Sequence, residues 1–224
     1  LCEVDNPSKF GVVDLKDGRI KKIMEKPKNP PTNFAVIGIY CLSPFIFDIF
    51  SRLKPSDRNE YEITDSLQML LDEHYIVDFD YVTENWKDTG TPEDIILANK
   101  LLLDHMEPYF LGQKEEHTIL EGNIMVGKNS IIKSGARIIG PVIIGDDCII
   151  NANSILGPNA SIGNNTSVSN CQIQDSVIME NCNIDCDWKI KKSIIGSNSK
   201  IISNGKENSF DKIMLLGEGT QIYF

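Results

Sequence analysis

Residues 126–168 decide the fold and read VGKNSIIKSGARIIGPVIIGDDCIINANSILGPNASIGNNTSV. An aliphatic side chain recurs at every sixth position, at Val126, Ile132, Ile138, Ile144, Ile150, Leu156, Ile162 and Val168. Four residues after most of these lies a side chain of limited size: Ser130, Ala136, Val142, Cys148, Ser154, Ala160 and Thr166. A short strand and a tight corner use six residues, and three such faces close one coil with the large aliphatic residue inside. The pattern predicts a left-handed parallel β-helix of hexapeptide repeats; short antiparallel strands are the alternative, but their side-chain period would be two.

The register continues beyond residue 168 with some five-residue steps, at Ile173, Ile178, Ile184, Ile190, Ile195 and Ile201. The pairs Asn170-Cys171, Asp175-Ser176 and Lys192-Ser193 resemble one another and are expected to share a corner conformation. Residues 203–211 are polar and are expected to leave the stack. Residues 213–224 are apolar again and are expected to form a last strand or a cap.

The first half of the chain alternates between strand and helix patterns. Strands are predicted at residues 10–15, 20–25, 34–42 and 75–82, of which 34–42 is expected to be buried on both faces. Helices are predicted at residues 44–53, 62–73 and 92–105, the last of them with Thr91 as its N-cap. The alternation indicates an α/β domain. We expect an α/β half at residues 1–106, a linker at 107–118 and a β-helix with a C-terminal cap at 119–224.

Composition narrows the class of protein. The formal net charge of -10 disfavours nonspecific nucleic-acid binding. No apolar run is long enough to span a bilayer. The six cysteines are dispersed without a paired C-x-x-C, so that buried small hydrophobes are expected in preference to a zinc site or disulfides. We expect a cytoplasmic protein with neither nucleic-acid nor membrane partners.

Two short strings suggest chemistry: Glu25-Lys26-Pro27, and the WKDTGT string at residues 86–91. They can be interpreted as halves of a phosphate-and-metal site. Each is weak alone, because a Glu-Lys pair before proline is usually a solvated strand end and Asp-Thr-Gly is usually a turn or a helix cap. No glycine-rich loop that could cradle a nucleotide's phosphates occurs in the sequence.

In their order, these strings resemble the sugar-1-phosphate nucleotidylyltransferases. EKP at residues 25–27 is similar to that family's EKP motif, and NFAVIGIY at 33–40 is similar to the strand that follows it. RNEYEITD at 58–65 and WKDTGT at 86–91 resemble the R-G-E-x-E-I-T-D and W-x-D-T-G-T segments of long-form glucose-1-phosphate thymidylyltransferases, with Asn59 in place of the usual glycine. The family's N-terminal G-x-G-T-R-L loop and first metal-binding aspartate have no counterpart. The resemblance therefore implies a partial Rossmann-like domain from the C-terminal part of a longer enzyme, inactive by itself.

The resemblance also implies a sugar-phosphate site. Lys26 would supply a point charge to the phosphate, and Arg58 a planar fork that grips two of its oxygens. Glu25 would accept hydrogen bonds from sugar hydroxyls. Backbone groups of Gly11 and Val36 would meet the sugar ring.

The implied reaction is attack by a sugar 1-phosphate oxygen on the α-phosphorus of a nucleoside triphosphate, which expels pyrophosphate and forms dTDP-glucose or a related NDP-sugar. Lys26 and Asp88 would be the catalytic residues. Asp88 would hold Mg2+, which commonly takes one or two carboxylates plus phosphates and water. The β-helix implies a homo-oligomer, either a trimer or an assembly based on dimers.

Two alternatives remain at this point. The first is a sugar-phosphate acetyltransferase, alone or joined to the nucleotidyltransferase, because such enzymes are also built on hexapeptide repeats. They commonly use a histidine base on the β-helix, and no histidine occurs after His117. The second is a noncatalytic regulatory or assembly protein of the same architecture, for which Glu25, Lys26, Arg58 and Asp88 would have no purpose.

Overall fold

The computed structural model describes residues 1–83, 86–203 and 211–223, and the chain divides into two compact units, Leu1–Trp86 and Lys87–Phe224. Among the described residues of the first unit, the strands are β1 (Cys2–Glu3), β2 (Gly11–Lys16), β3 (Arg19–Glu25) and β4 (Phe34–Ala35). The helices of this unit are α1 (Ile46–Arg52), α2 (Ile63–Asp72) and a 3-10 turn at Pro7–Lys9. No helix in the described part of the chain is long and apolar enough to cross a bilayer.

The strands of the first unit pair antiparallel in the order β1-β4-β2-β3. The strands predicted at 10–15 and 20–25 are present as β2 and β3 and form a hairpin, whose turn has positive φ at Asp17 and Gly18. Helix α2 covers the sheet through Leu67, which packs with Val13 and Ile23. This packing places the first turn of α2 beside the hairpin.

The strands predicted at residues 34–42 and 75–82 are largely wrong. Only Phe34–Ala35 pairs within the first, and 75–82 contains no strand. Ile39 is 79% exposed and Ile76 is 95% exposed, so the expected burial of 34–42 on both faces is also wrong. A strand needs a continuous ladder of backbone hydrogen bonds, whereas among the described residues 36–42 and 75–82 form only isolated ones, such as Val36 N–H to the Gly11 carbonyl and Val82 N–H to the Leu1 carbonyl. The helices predicted at 44–53 and 62–73 are present as α1 and α2.

The second unit begins with helix α3 (Pro92–His105), which has the predicted bounds. Three parallel sheets follow, in which each strand pairs with the strand three places later. The strands are β5 (Tyr109–Phe110), β6 (Gln113–Lys114), β7 (Ile119–Glu121), β8 (Ile124–Val126), β9 (Ile131–Ile132), β10 (Arg137–Ile139), β11 (Val142–Ile144), β12 (Ile149–Ile150), β13 (Ile155–Leu156), β14 (Ala160–Ile162), β15 (Ser167–Ser169), β16 (Gln172–Gln174), β17 (Ser176–Ile178), β18 (Asn183–Asp185), β19 (Lys189–Lys191), β20 (Ile194–Ile195), β21 (Lys200–Ile202), β22 (Asp211–Lys212), β23 (Leu215–Leu216) and β24 (Gln221–Tyr223). This arrangement confirms the hexapeptide β-helix and fits a left-handed one.

The predicted inward positions form the core of the β-helix. Ile150 lies in register between Ile132 and Val168, and all three are fully buried. The five-residue steps after residue 168 keep the same alignment, because Ile173 and Ile190 pair directly. All fourteen predicted inward positions from residue 126 to 201 are 0–2% exposed. The stack of branched aliphatic side chains is therefore continuous across both the six-residue and the five-residue steps.

The corners use one recurring conformation. A residue with positive φ stands directly before a small buried side chain, as at Asn165 before Thr166 and Asn181 before Cys182. Asparagine, aspartate and glycine adopt this region most readily. The predicted shared corners at Asn170, Asp175 and Lys192 all have positive φ. The register slip after residue 168 thus leaves the corner geometry intact.

The last predicted segment joins the stack as a further coil. Strands β22, β23 and β24 pair parallel with β19, β20 and β21. Met214, Leu216 and Ile222 pack against the end of the core. Residues 203–211 were predicted to leave the stack, but Ser203 donates its N–H to the Asp185 carbonyl at 2.9 Å and Asp211 begins β22. Residues 204–210 between them, and Phe224 of the predicted cap, lie outside the described residues.

Helix α3 packs on the β-helix, against β14 and β17. The side chain of Asn99 accepts a hydrogen bond from Ser161 Oγ at 2.5 Å and donates one to the Asn159 carbonyl at 3.3 Å. The compact units therefore divide before α3, whereas the sequence-based division placed it in the α/β half. The expected linker also differs, because β5 and β6 lie within 107–118 and pair with β8 and β9.

Ile150→Ala is expected to lower the free energy of unfolding by about 2–5 kcal/mol, because it opens a cavity among fully buried side chains. Ile149→Ala is the matched control, since Ile149 is the adjacent outward residue and is 41% exposed; its cost should be about 0.5 kcal/mol. Urea unfolding followed by circular dichroism measures both. Equal losses in the two variants would contradict the inward register.

Candidate functional site

The hairpin places Glu25 opposite Gly11, its register partner on β2. The chain turns sharply at Lys26, which has φ 41 and whose N–H donates to the Phe10 carbonyl at 3.0 Å. Val36 joins the same place, since its N–H donates to the Gly11 carbonyl at 2.7 Å. Four of the predicted site residues thus lie at one end of the hairpin.

Helix α2 supplies a further contact at this point. The hydroxyl of Thr64, in the first turn of α2, donates to Glu25 Oε2 at 2.8 Å. A Cβ on Gly11 would lie 2.5 Å from Thr64 Cγ2 and 3.0 Å from Glu25 Oε2. Glycine at position 11 therefore leaves the space in which Thr64 reaches the carboxylate.

Arg58 lies among three carboxylates. Its Nη1 is 3.5 Å from Glu25 Oε1 and 3.7 Å from Glu62 Oε1, while its Nη2 is paired with Glu60. The Arg58 side chain is 38% exposed, whereas those of Glu25 and Glu62 are 19% and 11% exposed. The guanidinium thus joins the EKP strand to the loop before α2.

The loop that presents Arg58 is closed by its own hydrogen bonds. Asn59 has φ 59 and donates its N–H to the Ser56 carbonyl at 2.8 Å, while the Ser56 N–H donates to the Glu60 carbonyl at 2.8 Å. Ser56 Oγ also donates to Glu62 Oε1 at 3.0 Å. Asparagine is among the few residues that tolerate positive φ, which explains how it can stand in the glycine position of the motif.

Burial and carboxylate charge shift the pKa values of groups near Glu25 and Glu62. Burial, and then the charge of Glu25, raise the pKa of Tyr40. Burial and the nearby Glu62 likewise raise the pKa of Asp65. The cations Lys26 and Arg58 face the carboxylates of Glu25, Glu60 and Glu62. In the described contacts, carboxylates outnumber cations.

The structure brings together five of the six predicted site residues: Gly11, Glu25, Lys26, Val36 and Arg58. Lys26 Nζ is 3.9 Å from Glu25 Oε1. Asp88 belongs to the second unit, is exposed, and precedes the N-cap of α3. The proposed roles of all six, including Mg2+ binding by Asp88, stay predictions.

The WKDTGT string also has structural contacts. Trp86 packs edge-on against Phe10, with ring centroids 5.6 Å apart. Lys87 pairs with Asp94 at 2.7 Å, and the Thr91 hydroxyl accepts from the Asp94 N–H at 3.2 Å. The lysine pair and the hydroxyl contact lower the pKa of Asp94. Trp86 therefore packs within the first unit.

Sequence reasoning missed Thr64, Glu60, Glu62 and Tyr40 as members of the cluster. The first three stand inside the RNEYEITD motif, so that the motif itself was the available signal. Their partners, however, are distant in sequence or depend on the turn at Asn59. Tyr40 was assigned to a buried strand, which hid its proximity to Glu25.

The buried cysteines of the β-helix have a packing role. Cys148, Cys171, Cys182 and Cys186 are 0–2% exposed and occupy the coil interior or its corners. The hydrogen bond to Cys186, together with burial, raises the pKa of the Cys171 thiol well above its ordinary range. In the part of the chain that the structure describes, no group of three or more His, Cys, Asp or Glu side chains could hold a metal ion.

Gly11→Ala is expected to lower the free energy of unfolding by about 1–3 kcal/mol, because the new methyl group would overlap Thr64. Gly38→Ala is the matched control in the same unit, since no atom lies within 4 Å of its added Cβ; its effect should stay within about 0.5 kcal/mol. Thermal or urea unfolding compares the two. A Gly11→Ala protein as stable as Gly38→Ala would show that the space at Gly11 is not restricted.

Two known family models match the chain. Residues 1–105 match the family model described as nucleotidyl transferase. Residues 138–223 match the GMPPB C-terminal domain. The first match contains the hairpin, α2 and Arg58, and the second lies within the β-helix.

Individual relatives match across both units. A low-salt glycan biosynthesis nucleotidyltransferase, Agl11 of Haloferax volcanii, is 37% identical over 223 residues, which are 99% of this chain and 62% of the relative. A glucose-1-phosphate thymidylyltransferase of Streptomyces antibioticus is 34% identical, over 90% of this chain and 56% of the relative. A bifunctional sugar-1-phosphate nucleotidylyltransferase/acetyltransferase of Sulfurisphaera tokodaii is 34% identical, over 89% of this chain and 46% of the relative.

The chain thus spans about half to three fifths of the length of these curated relatives. The similarity nevertheless covers nearly all of this chain, and it includes both the cluster around Glu25 and the β-helix. Residues 1–105 thus match the nucleotidyl transferase family, and the chain as a whole is similar to sugar-1-phosphate nucleotidyltransferases.

Proposed function

We propose that this chain provides the sugar-1-phosphate side of a nucleotidyltransferase that forms dTDP-glucose, or a related NDP-sugar, and pyrophosphate. The observation that carries the proposal is the convergence of Glu25, Arg58 and Thr64 beside Gly11, which has no Cβ. A scaffold of the same architecture would not need a partly buried carboxylate with an arginine and a lysine beside it. A noncatalytic regulatory or assembly role is therefore the weaker proposal.

The reaction depends on alignment and on balancing phosphate charge, with little covalent work for the protein. A phosphate oxygen of the sugar 1-phosphate forms a bond to the α-phosphorus, and the bond to the pyrophosphate leaving group breaks. Lys26 and Arg58 bind and orient the attacking phosphate through charged hydrogen bonds. Glu25, held by Thr64, accepts hydrogen bonds from sugar hydroxyls. Backbone groups of Gly11 and Val36 flank the sugar ring.

Asp88 is the residue proposed to hold Mg2+. Its donor chemistry fits, because Mg2+ is often bound through one or two carboxylates while phosphates and water supply the other ligands. The bound ion would neutralise phosphate charge during the transfer. We propose a cytoplasmic enzyme, since its substrates would be charged sugar phosphates and nucleotides.

The choice of dTTP rests on the motif resemblance and on the thymidylyltransferase relatives. The intact protein, meaning the full-length enzyme that contains this chain, is incubated with glucose 1-phosphate and with dTTP, UTP or GTP in turn. The release of pyrophosphate with each nucleotide identifies the preferred base. Preference for UTP or GTP would contradict a dTDP-sugar product but leave the proposed nucleotidyltransferase activity standing. Absence of pyrophosphate release across sugar 1-phosphates and all three nucleotides would contradict both.

Lys26→Ala in the intact protein is expected to raise KM for the sugar 1-phosphate about tenfold, because a charged phosphate contact is lost. Asp88→Asn should instead lower kcat strongly at saturating substrate. Steady-state kinetics with both substrates varied separates the two effects. Lys28→Ala is the control for removal of a nearby exposed positive charge and should behave as wild type. Normal kinetics in both site variants would leave these residues with structural roles only.

Acetyl transfer is the second candidate function, because several relatives are named as bifunctional proteins. Those names apply to relatives of which this chain covers 57% and 46%. No histidine follows His117 in the sequence, and His117 itself is an exposed residue with φ 62. A histidine base on the later coils is therefore excluded. We propose an assembly role for the β-helix, in a homotrimer or a dimer-based oligomer.

The protein is expected to be a homo-oligomer in solution and to bind no acetyl-CoA. Light scattering coupled to size exclusion measures the first property, and calorimetric titration with acetyl-CoA measures the second. A strict monomer would remove the assembly role. Micromolar binding of acetyl-CoA would revive the acyltransferase proposal.

A further inference from the structure

Arg58 is already engaged by carboxylates in the free protein. Its Nη2 is paired with Glu60, and its Nη1 faces both Glu25 and Glu62. Glu62 is anchored separately by Ser56 Oγ, and Glu25 by the Thr64 hydroxyl. Glu60 has the most exposed side chain of the three carboxylates, at 55%. Glu60 is therefore the partner most easily displaced from the guanidinium.

A phosphate and a carboxylate bind the same edge of a guanidinium, each through paired N–H donors. The Nη2 that Glu60 occupies is therefore a donor that a phosphate fork would need. Glu60 also adds a negative charge to a cluster where carboxylates already outnumber cations. Both effects weaken phosphate binding, whereas neither concerns a neutral sugar.

We propose that Glu60 is an affinity-limiting residue, which restrains Arg58 in the free protein and competes with the phosphate of the sugar 1-phosphate. The inference rests on the proposed function, because it assigns the phosphate to Arg58. Arrival of the phosphate would release Glu60 to solvent. Arg58 would then bind the phosphate, and the loop closed by Ser56 and Asn59 would keep Arg58 in place.

Glu60→Gln is expected to tighten binding of glucose 1-phosphate and of inorganic phosphate about two- to fivefold, as for loss of one exposed ion pair. Binding of glucose should not change. A gain in affinity is the informative sign, because damage to the fold would weaken all three ligands. Calorimetric titration of the intact protein with each ligand separately provides the measurement.

Two control variants distinguish the specific pairing of Glu60 with Arg58 from a general effect of removing negative charge. Asp57→Asn removes an adjacent exposed negative charge, and within the described residues Asp57 forms no ion pair with Arg58. Glu73→Gln breaks a comparable pair in the same unit, in which Arg52 Nη1 lies 2.6 Å from Glu73 Oε1. Neither variant should change the affinity for glucose 1-phosphate.

Tighter phosphate-dependent binding in Glu60→Gln alone supports the proposal. An unchanged or weaker affinity, in a protein whose wild type binds glucose 1-phosphate, overturns it and leaves the proposed function standing. An equal gain in Asp57→Asn also overturns it, because the effect would then be one of general charge. Failure of wild type and Glu60→Gln alike to bind glucose 1-phosphate would overturn the proposed function together with this inference.

Discussion

The β-helix depends on one corner constraint, a residue with positive φ followed by a small buried side chain. Asn165 and Thr166 provide one example, and Lys192 and Ser193 provide another in which the residue type is unfavourable but the geometry is kept. The corner turns the chain, so that the next aliphatic side chain points inward again. Because every strand must align with the strand three places later, a change of corner geometry would rotate all later coils. The alignment of Ile190 with Ile173 shows that five-residue steps satisfy the constraint as well as six-residue steps.

The cluster around Glu25 depends instead on backbone positions that tolerate few residue types. Gly11 leaves space for Thr64 to reach Glu25, and Asn59 turns the loop so that Arg58 faces the hairpin. Lys26 also has positive φ, directly after the carboxylate. Charged groups are expensive to position by long flexible side chains alone. Here the backbone conformation fixes the positions from which these side chains extend. The hydrogen bond from Thr64 fixes the position of the Glu25 carboxylate.

Periodic features of the sequence were sufficient for much of the fold. The inward aliphatics, the turn at Gly18 and the bounds of α3 follow from period, turn chemistry and capping, all of which are local. The strand predicted at 34–42 failed because apolar residues such as Ile39 do not reveal whether a neighbouring strand is present. The packing of α3 was not predicted for a related reason, since its contacts at Asn99 are with residues about 60 positions later. The family motifs predicted which residues converge, whereas the hydrogen bond from Thr64 required the fold.

The charge balance of the cluster limits how the site can work. A sugar offers hydroxyl donors, which suit the carboxylate of Glu25, and the protonated hydroxyl of Tyr40 adds a donor nearby. A phosphate brings negative charge into surroundings where Glu25, Glu60 and Glu62 already contact Arg58. Under the proposed function, recognition of the sugar would need little rearrangement, while recognition of the phosphate would require the guanidinium to exchange partners. In the proposed reaction this asymmetry would make phosphate binding the step that sets the affinity for the sugar 1-phosphate, and a divalent cation such as Mg2+ would offset the excess negative charge.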